Sequence, residues 1–227
     1  GDVVMVSGTT SPIVAVVEKP LYDEKERCWV DCVKKGRWLI ETNAGTTGLN
    51  YQTYRKNFLG NKSYEEIERK IAEKNTFQCI ASFGTKFFPG KKSLKQGGIF
   101  AYAPLSGEFD RIDVMNAIMA DIACGITLHY RELQKIQFHD KKYIIGCGGG
   151  FQSQTLGKRI ASLINKEVVL PTHYEQASLN GCIKICQKTL KKSVEDYEHV
   201  RIIEPGKDTL LEEYYEKWRT VRKIYEE

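Results

Sequence analysis

Cys147-Gly148-Gly149-Gly150-Phe151-Gln152-Ser153 sets three consecutive glycines between an apolar run, Tyr143-Ile144-Ile145, and a segment patterned as a helix. Glycines at a strand-to-helix turn let backbone approach a ligand closely, because no Cβ intervenes. A helix that starts there also offers free N–H groups and the positive end of its dipole. That is the chemistry of holding a nucleotide, although a plain tight turn has the same composition, and the spacing is not that of a dinucleotide fingerprint. A second polar turn, Gly8-Thr9-Thr10-Ser11, joins two β-rich runs. It could present N–H and O–H donors to a phosphate, or simply face solvent.

Other groupings carry less. Gly84 to Lys92 imitates a phosphate loop, but five residues separate its glycines, Lys92 stands where a Ser or Thr must bind Mg²⁺, and Pro89 lacks an N–H. Histidines 129, 139, 173 and 199 stand in no motif with a Ser or Cys nucleophile, and read as surface or satisfied core residues. Cys28/Cys32 and Cys182/Cys186 are each four apart; without close zinc-ligand spacing they read as small buried hydrophobes. No carboxylate pair has metal-ligand spacing. Lysines 91, 92, 95, 188, 191 and 192 read as solvated surface rather than a nucleic-acid patch, given a net charge of only +5.

The elements that must position the two turns follow from periodicity. Val3 to Val17 reads as a hairpin about the Gly8 turn, with further strands at Trp29–Val33 and Trp38–Glu41. Thr47 to Phe58 reads as a helix with Leu49, Tyr54 and Phe58 near helical spacing. Ser63 to Lys74 has Ser63 and Glu66 as a capping box and Ile67 and Ile71 facing inward. Ile80 to Pro104 reads as irregular loop with short strands. Asp113 to Leu133 repeats Val114, Ile118, Ile122 and Ile126, widened by Met115 and Met119, as a core helix. After the glycine turn come a helix over Ser153–Asn165, a strand over Glu167–Leu170 and a helix over Glu175–Leu190. Thr209 to Tyr225 closes as an amphipathic helix presenting Leu211, Tyr214, Trp218, Val221 and Tyr225. Strands alternating with helices predict an α/β layered domain.

Composition agrees: 227 residues, 41% hydrophobic and 28% charged, are ordinary for a folded domain. No apolar run reaches the roughly 20 residues of a membrane span, and no signal peptide is present. Seven cysteines, an odd number, point to a reducing cytoplasm. The chain opens on Gly-Asp-Val-Val-Met-Val, which reads as a strand of an excised domain.

The order of these segments carries a resemblance. A Gly-Thr-Thr hairpin is followed by Asn43-Ala44-Gly45-Thr46-Thr47-Gly48, which opens a helix with Gln52 and Arg55. Then come Ala103-Pro104-Leu105-Ser106-Gly107-Glu108, the long helix, the Gly148–Gly150 turn, Val168–Pro171 and Glu175-Gln176-Ala177-Ser178-Leu179-Asn180-Gly181. This succession resembles the C-terminal domain of the FGGY carbohydrate kinases over nearly the whole chain. The chain departs from that pattern at Thr53-Tyr54-Arg55-Lys56 and at Gly107-Glu108-Phe109, with Arg111 displaced.

The resemblance implies an actin-like ATPase, ribonuclease H-like fold, a mixed sheet flanked by helices, with residues 1–227 as one nucleotide-binding domain. It implies ATP with Mg²⁺, a cytoplasmic phosphotransferase acting on a hydroxyl of a small sugar or polyol, and no nucleic-acid or membrane partner. Gly8 and Thr9, with Thr10, would meet the γ-phosphate; Gly48 and Gln52 would lie beside the α-phosphate and ribose. Gly148, Gly149, Gly150 and Ser153 would hold the adenosine. The family's general base, an Asp, lies in an N-terminal domain that would be this chain's partner, so no catalytic residue is assigned here and the chain alone would be inactive. A homodimer is an open alternative for assembly. From another class, a non-catalytic nucleotide-binding or interaction module of the same fold is the rival reading.

Overall fold

The computed structural model describes residues 2–60, 62–84, 96–193 and 199–225. Its first hairpin is the expected one: β1 (Val3–Val6) and β2 (Thr10–Val17) pair antiparallel. Val3, Met5, Ile13 and Ala15 point to the buried face while Val4, Val6 and Val14 are half-buried, the alternation that period-two geometry imposes. β3 (Trp29–Lys34) and β4 (Arg37–Thr46) form the next hairpin. β4 runs on through Asn43–Thr46, a stretch the motif reading attached to the helix that follows.

β7 (Tyr143–Cys147) lies parallel to β1, β8 (Glu167–Pro171) parallel to β7, and β9 (His199–Ile203) closes the edge antiparallel. The sheet order is β3-β4-β2-β1-β7-β8-β9. It is a mixed sheet flanked by helices, in the three-two-one-four-five pattern of a ribonuclease H-like domain extended at both edges. β9 was not expected; its short Val-Arg-Ile-Ile run has no turn signal that the sequence makes plain. The expected loop over 80–104 holds β5 (Cys79–Ser82) and β6 (Gly98–Ala101), paired antiparallel. The phosphate-loop imitation and lysines 91, 92 and 95 fall mostly or wholly outside the described residues.

α3 (Arg111–Ile136) is the core of the molecule. Asp110 caps it by accepting from the Ile112 and Asp113 N–H groups, and Asp113 reciprocates by accepting from Asp110 N, a capping box. Val114, Met115, Ile118, Met119, Ile122 and Ile126 are all buried. By length and apolar content α3 would suffice to cross a membrane, which corrects the expectation that no segment does. Here it is almost wholly enclosed between the sheet and the other helices.

α2 (Tyr64–Ala72) is capped by Ser63 Oγ, with Ile67 and Ile71 buried. Glu66 turns its carboxylate to Lys62 Nζ at 2.7 Å, so its side chain does not complete the box. α1 (Gly48–Phe58) has no buried residue. Leu49 and Phe58 are exposed, against expectation, because α1 turns Tyr51 and Tyr54 to the core and is clamped at its N-terminus. Arg55 donates to Lys62 O and Arg111 to Phe58 O, so the two arginines at the departures from the family pattern tie down the end of α1.

α6 (Thr209–Lys223) buries Leu211, Tyr214, Tyr215 and Trp218 as a closing helix, with Val221 and Tyr225 half-buried. Asp121 on α3 fastens it. Its carboxylate accepts from Trp218 Nε1 (2.7 Å), Phe83 N (2.9 Å) and Gly84 N (3.2 Å). Burial pushes this carboxyl up, while the neighbouring Arg222 guanidinium pulls it down. Arg222, itself buried, donates to Gly84 O at 3.0 Å. Asp121→Ala leaves the Trp218 Nε1–H, Phe83 N–H and Gly84 N–H donors without this acceptor and is expected to cost about 2–5 kcal/mol, read by urea unfolding. A loss under about 1 kcal/mol contradicts this role for Asp121.

Candidate functional site

The structure brings the two sequence turns and the start of α1 together at the C-terminal ends of β1 and β7. Ser7 is the hub. Its N–H donates to Cys147 O at 2.8 Å, continuing the β1–β7 ladder, and its carbonyl accepts from Gly150 N at 2.9 Å. The Gly8–Thr9 turn is clamped from the other side: Thr47 N donates to Thr9 O (3.0 Å) and Gly48 N to Gly8 O (3.1 Å). Ser11 Oγ and Thr47 Oγ1, both buried, are 2.7 Å apart beneath it. Three segments distant in sequence thus share one rigid corner.

The glycines there divide into two kinds. A Cβ on Gly48 would lie 2.3 Å from Gly8 O, and one on Gly148 would lie 2.4 Å from Ser7 O, with Gly148 at φ +95°. One on Gly150 would lie 2.1 Å from Ser7 Oγ. Gly48 and Gly148 are glycine because backbones meet there, and Gly150 because the Ser7 side chain packs against it. Gly149 differs: a Cβ on it would meet nothing within 4 Å. Gly8 has room as well, with Thr10 O at 3.7 Å. Thr9, Thr10, Gln52 and Gly149 are exposed, and Gly8, Gly48, Gly148 and Gly150 half-exposed. The corner therefore presents a polar rim over a packed base.

The first turn of α4 (Gln154–Ile164) is less free than its sequence suggests. Ser153 Oγ caps it by accepting from Leu156 N at 3.0 Å, and donates to Glu68 Oε2 at 2.8 Å. Glu68 Oε1 accepts from Thr155 N at 2.6 Å. A carboxylate from α2 already complements this helix N-terminus, which corrects the idea of open amide donors there. Across from it, Tyr51 and Tyr64 stack at 6.0 Å and 12°, with the Arg55 guanidinium 4.3 Å over the Tyr64 ring. Burial, then the Glu68 charge, pushes the Tyr51 hydroxyl up.

Sequence reasoning missed Ser7, Tyr174 and Glu68. Ser7 was legible only as the residue before Gly8. Tyr174 contributes its carbonyl, which accepts from Gly148 N at 2.7 Å, and a carbonyl leaves no side-chain signature. Glu68 finds its partners about 85 residues away, so no local pattern marks it.

Asp2 stands at the opposite end of β1, where its carboxylate pairs with Lys141 and accepts from Tyr143 Oη at 3.2 Å. The Lys141 hydrogen bond holds it below the usual carboxylate range. It is remote from the corner. Among the described residues no group of three or more His, Cys, Asp or Glu side chains gathers as a metal cage. His129 and His139 are buried, and His173, exposed, stands at the N-cap of the 174–176 turn beside the corner; the His199 side chain is outside the described residues. All seven cysteines are free thiols. Cys28 is buried, but Cys32, Cys182 and Cys186 are exposed, which overturns their reading as core residues.

No family model matches the chain. It is 37% identical over 99% of its length to YoaC of Bacillus subtilis (strain 168), which bears the name of a sugar kinase, and covers 46% of that protein. It is 21% identical to the gluconokinase of the same organism over 99% of its length, again covering 46% of the relative. Among solved structures, a ligand-bound xylulose kinase from Lactobacillus acidophilus superimposes over 99% of the chain with a TM-score of 0.75 at 13% identity; the chain covers 46% of it. The chain therefore spans about half the length of the relatives it matches.

Proposed function

Because the chain has the actin-like ATPase fold of the C-terminal half of the FGGY carbohydrate kinases, we propose that it is the nucleotide-binding half of an ATP-dependent carbohydrate kinase. The intact enzyme transfers the γ-phosphate of ATP to a hydroxyl of a small sugar or polyol in the reducing cytoplasm. The observation that carries this reading is the corner itself. Gly8, Gly48 and Gly148–Gly150 meet through Ser7 and Gly8, and leave Thr9, Thr10, Gln52 and Gly149 as an exposed rim.

Phosphoryl transfer needs positioning and charge stabilisation more than covalent help from the protein, and this rim is built for positioning. Thr9 and Thr10 put hydroxyl donors at the hairpin end, where the γ-phosphate would lie. Gly48 and Gln52 flank the α-phosphate and ribose. The Gly148–Gly150 turn, with Ser153 behind it, receives the nucleoside. Glu68 supports this polarity, since a carboxylate on the α4 N-terminus repels a phosphate and leaves that end to the uncharged nucleoside. Mg²⁺ would arrive on the ATP phosphates and neutralise charge that develops on them. No residue of this chain is assigned as its ligand, or as the catalytic base. Both the base and most sugar contacts belong to the half that the relatives have outside the matched region.

The test is ADP release by the intact protein against a panel of sugars and polyols. Phosphorylation of one of them supports the kinase. Tight ATP binding with no acceptor in the panel supports the rival, a nucleotide-binding module without catalysis.

The 227-residue chain by itself is expected to fold, since one core runs from β1 through α3 to α6. It should bind ATP weakly, because domain closure cannot complete the site, and adding sugar should not change the affinity. Calorimetry showing tight, sugar-dependent ATP binding by this chain alone contradicts the half-site reading.

A further inference from the structure

Ile67 and Ile71, both buried, fix the rotation of α2, and that rotation sets Glu68 half-buried against the start of α4. Both of its oxygens are engaged there: Oε2 accepts from Ser153 Oγ at 2.8 Å and Oε1 from Thr155 N at 2.6 Å. A carboxylate only accepts, so the one proton of the Ser153 hydroxyl is committed to it. Met119 Sδ lies 3.8 Å from the same hydroxyl, but a thioether is a weak acceptor and does not compete with a nearer, charged oxygen. One lone pair of Ser153 Oγ takes the Leu156 N–H at 3.0 Å. What remains to the hydroxyl is a single acceptor site, and Ser153 is only half-buried, so a ligand can reach it. The amides that follow are engaged as well, Thr155 N with Glu68, Leu156 N with Ser153 Oγ and Gly157 N with Ser153 O.

We infer that Glu68, by holding Ser153 as an acceptor, selects the nucleobase: a base that turns an exocyclic amine to Ser153, adenine, is taken, and one with a carbonyl in that place, guanine or hypoxanthine, is disfavoured. This rests on the reading above, which puts the nucleoside on the Gly148–Gly150 turn with Ser153 behind it, and adds what tells one purine from another. The adenine amine donates to the open lone pair of Ser153. A purine carbonyl sets oxygen against oxygen there, with the Glu68 charge beside it, and an acceptor left unpaired in this way costs about tenfold in affinity. Gln152 and Gln154, exposed on either side of Ser153, carry amides that donate or accept by rotating, so they do not discriminate. Glu68 acts through Ser153 and is a positioning residue. The isosteric Glu68→Gln reverses the arrangement. Thr155 N still needs an acceptor, so the amide oxygen stays on it and the NH₂ turns to Ser153 Oγ. Ser153 then accepts twice within the protein, and its own proton is free to face a carbonyl on the base.

The test compares ATP, GTP and inosine triphosphate in the intact enzyme at saturating sugar. Inosine triphosphate has a carbonyl where ATP has its amine and lacks the second amine of GTP, so it isolates the contact with Ser153. The KM for ATP should lie about tenfold or more below that for either carbonyl-bearing nucleotide. Glu68→Gln should shrink that ratio at least about tenfold, raising the KM for ATP and lowering that for inosine triphosphate in one protein. Adding Ser153→Ala to it should remove the gain for inosine triphosphate. A wild-type enzyme that uses ATP and inosine triphosphate alike overturns the inference. So does a Gln variant in which all three KM values rise together, the mark of a role confined to folding. Melting temperatures are read on the same preparations. If the Gln variant does not fold, Ser153→Ala alone decides: it should raise the KM for ATP and bring the ATP and inosine triphosphate values together, and an unchanged ratio overturns the inference. Calorimetry with the same nucleotides and no sugar separates this from the kinase reading. A preference for ATP that depends on Glu68, in a protein that phosphorylates no sugar, leaves the base selection standing and removes the kinase. Phosphorylation from ATP and inosine triphosphate alike does the opposite.

Discussion

Gly48→Ala should damage both the fold and the activity of the intact enzyme, and do so for both substrates at once. In an ordinary helix first turn the change is favourable by up to about 1 kcal/mol. Here the added methyl falls 2.3 Å from Gly8 O and 3.0 Å from its carbonyl carbon. Neither atom is a flexible side-chain end that can swing away. α1 must lift off the hairpin, weakening the Gly48 N to Gly8 O and Thr47 N to Thr9 O bonds that clamp the turn. Forced overpacking of this kind costs about 1–3 kcal/mol, which for a domain of this size lowers the melting temperature by roughly 2–12 °C. Displacing the Thr9 end by even an ångström should cut kcat/KM by about a hundredfold. The expected signature is a combined loss, with melting temperature and both kcat/KM values falling together. A variant that melts normally and loses only ATP affinity contradicts this account of Gly48.

Much of this was legible in the sequence where the physics is local. The α3 stripe, the Ser63 cap, the hairpin about Gly8 and the α6 face are each set by residues within one element, and each is where the sequence puts it. The order of the glycine turns was legible as well, because short polar turns between apolar runs survive as a pattern. What the sequence hid was long-range. Whether a glycine is required by a neighbouring backbone depends on where Ser7 and Gly8 arrive, and nothing near Gly48 or Gly148 announces it. The capture of the α4 N-terminus by Glu68 is hidden for the same reason. α5 (Ala177–Thr189) shows the limit of local pattern most plainly: it forms where the sequence puts it, yet Cys182 and Cys186, expected to be buried, are exposed, because which side of a helix meets the body depends on packing from elsewhere in the chain.

Gly149→Val separates ligand from fold at the position where the two are easiest to tell apart. Of the three glycines in the turn, Gly149 alone has open space where its Cβ would be, and its φ lies outside the positive range that penalises side chains. Gly148 and Gly150 are held by Ser7, so substituting either confuses a packing defect with a binding one. At Gly149 the protein gives no reason for glycine, and the valine should leave stability within about 0.5 kcal/mol, as for other exposed positions. If adenosine lies against this backbone, the branched side chain occupies its place. The KM for ATP in the intact enzyme should then rise at least tenfold, about 1.4 kcal/mol of lost nucleotide binding. The KM for the sugar should move by less than a factor of about two, and kcat at saturating ATP should largely recover, the pattern left when ground-state binding is removed. Both KM values and the melting temperature are measured on one preparation. A folded variant with an unchanged ATP KM removes the nucleotide from this turn, and with it the assignment of Gly148, Gly150 and Ser153 to the nucleoside.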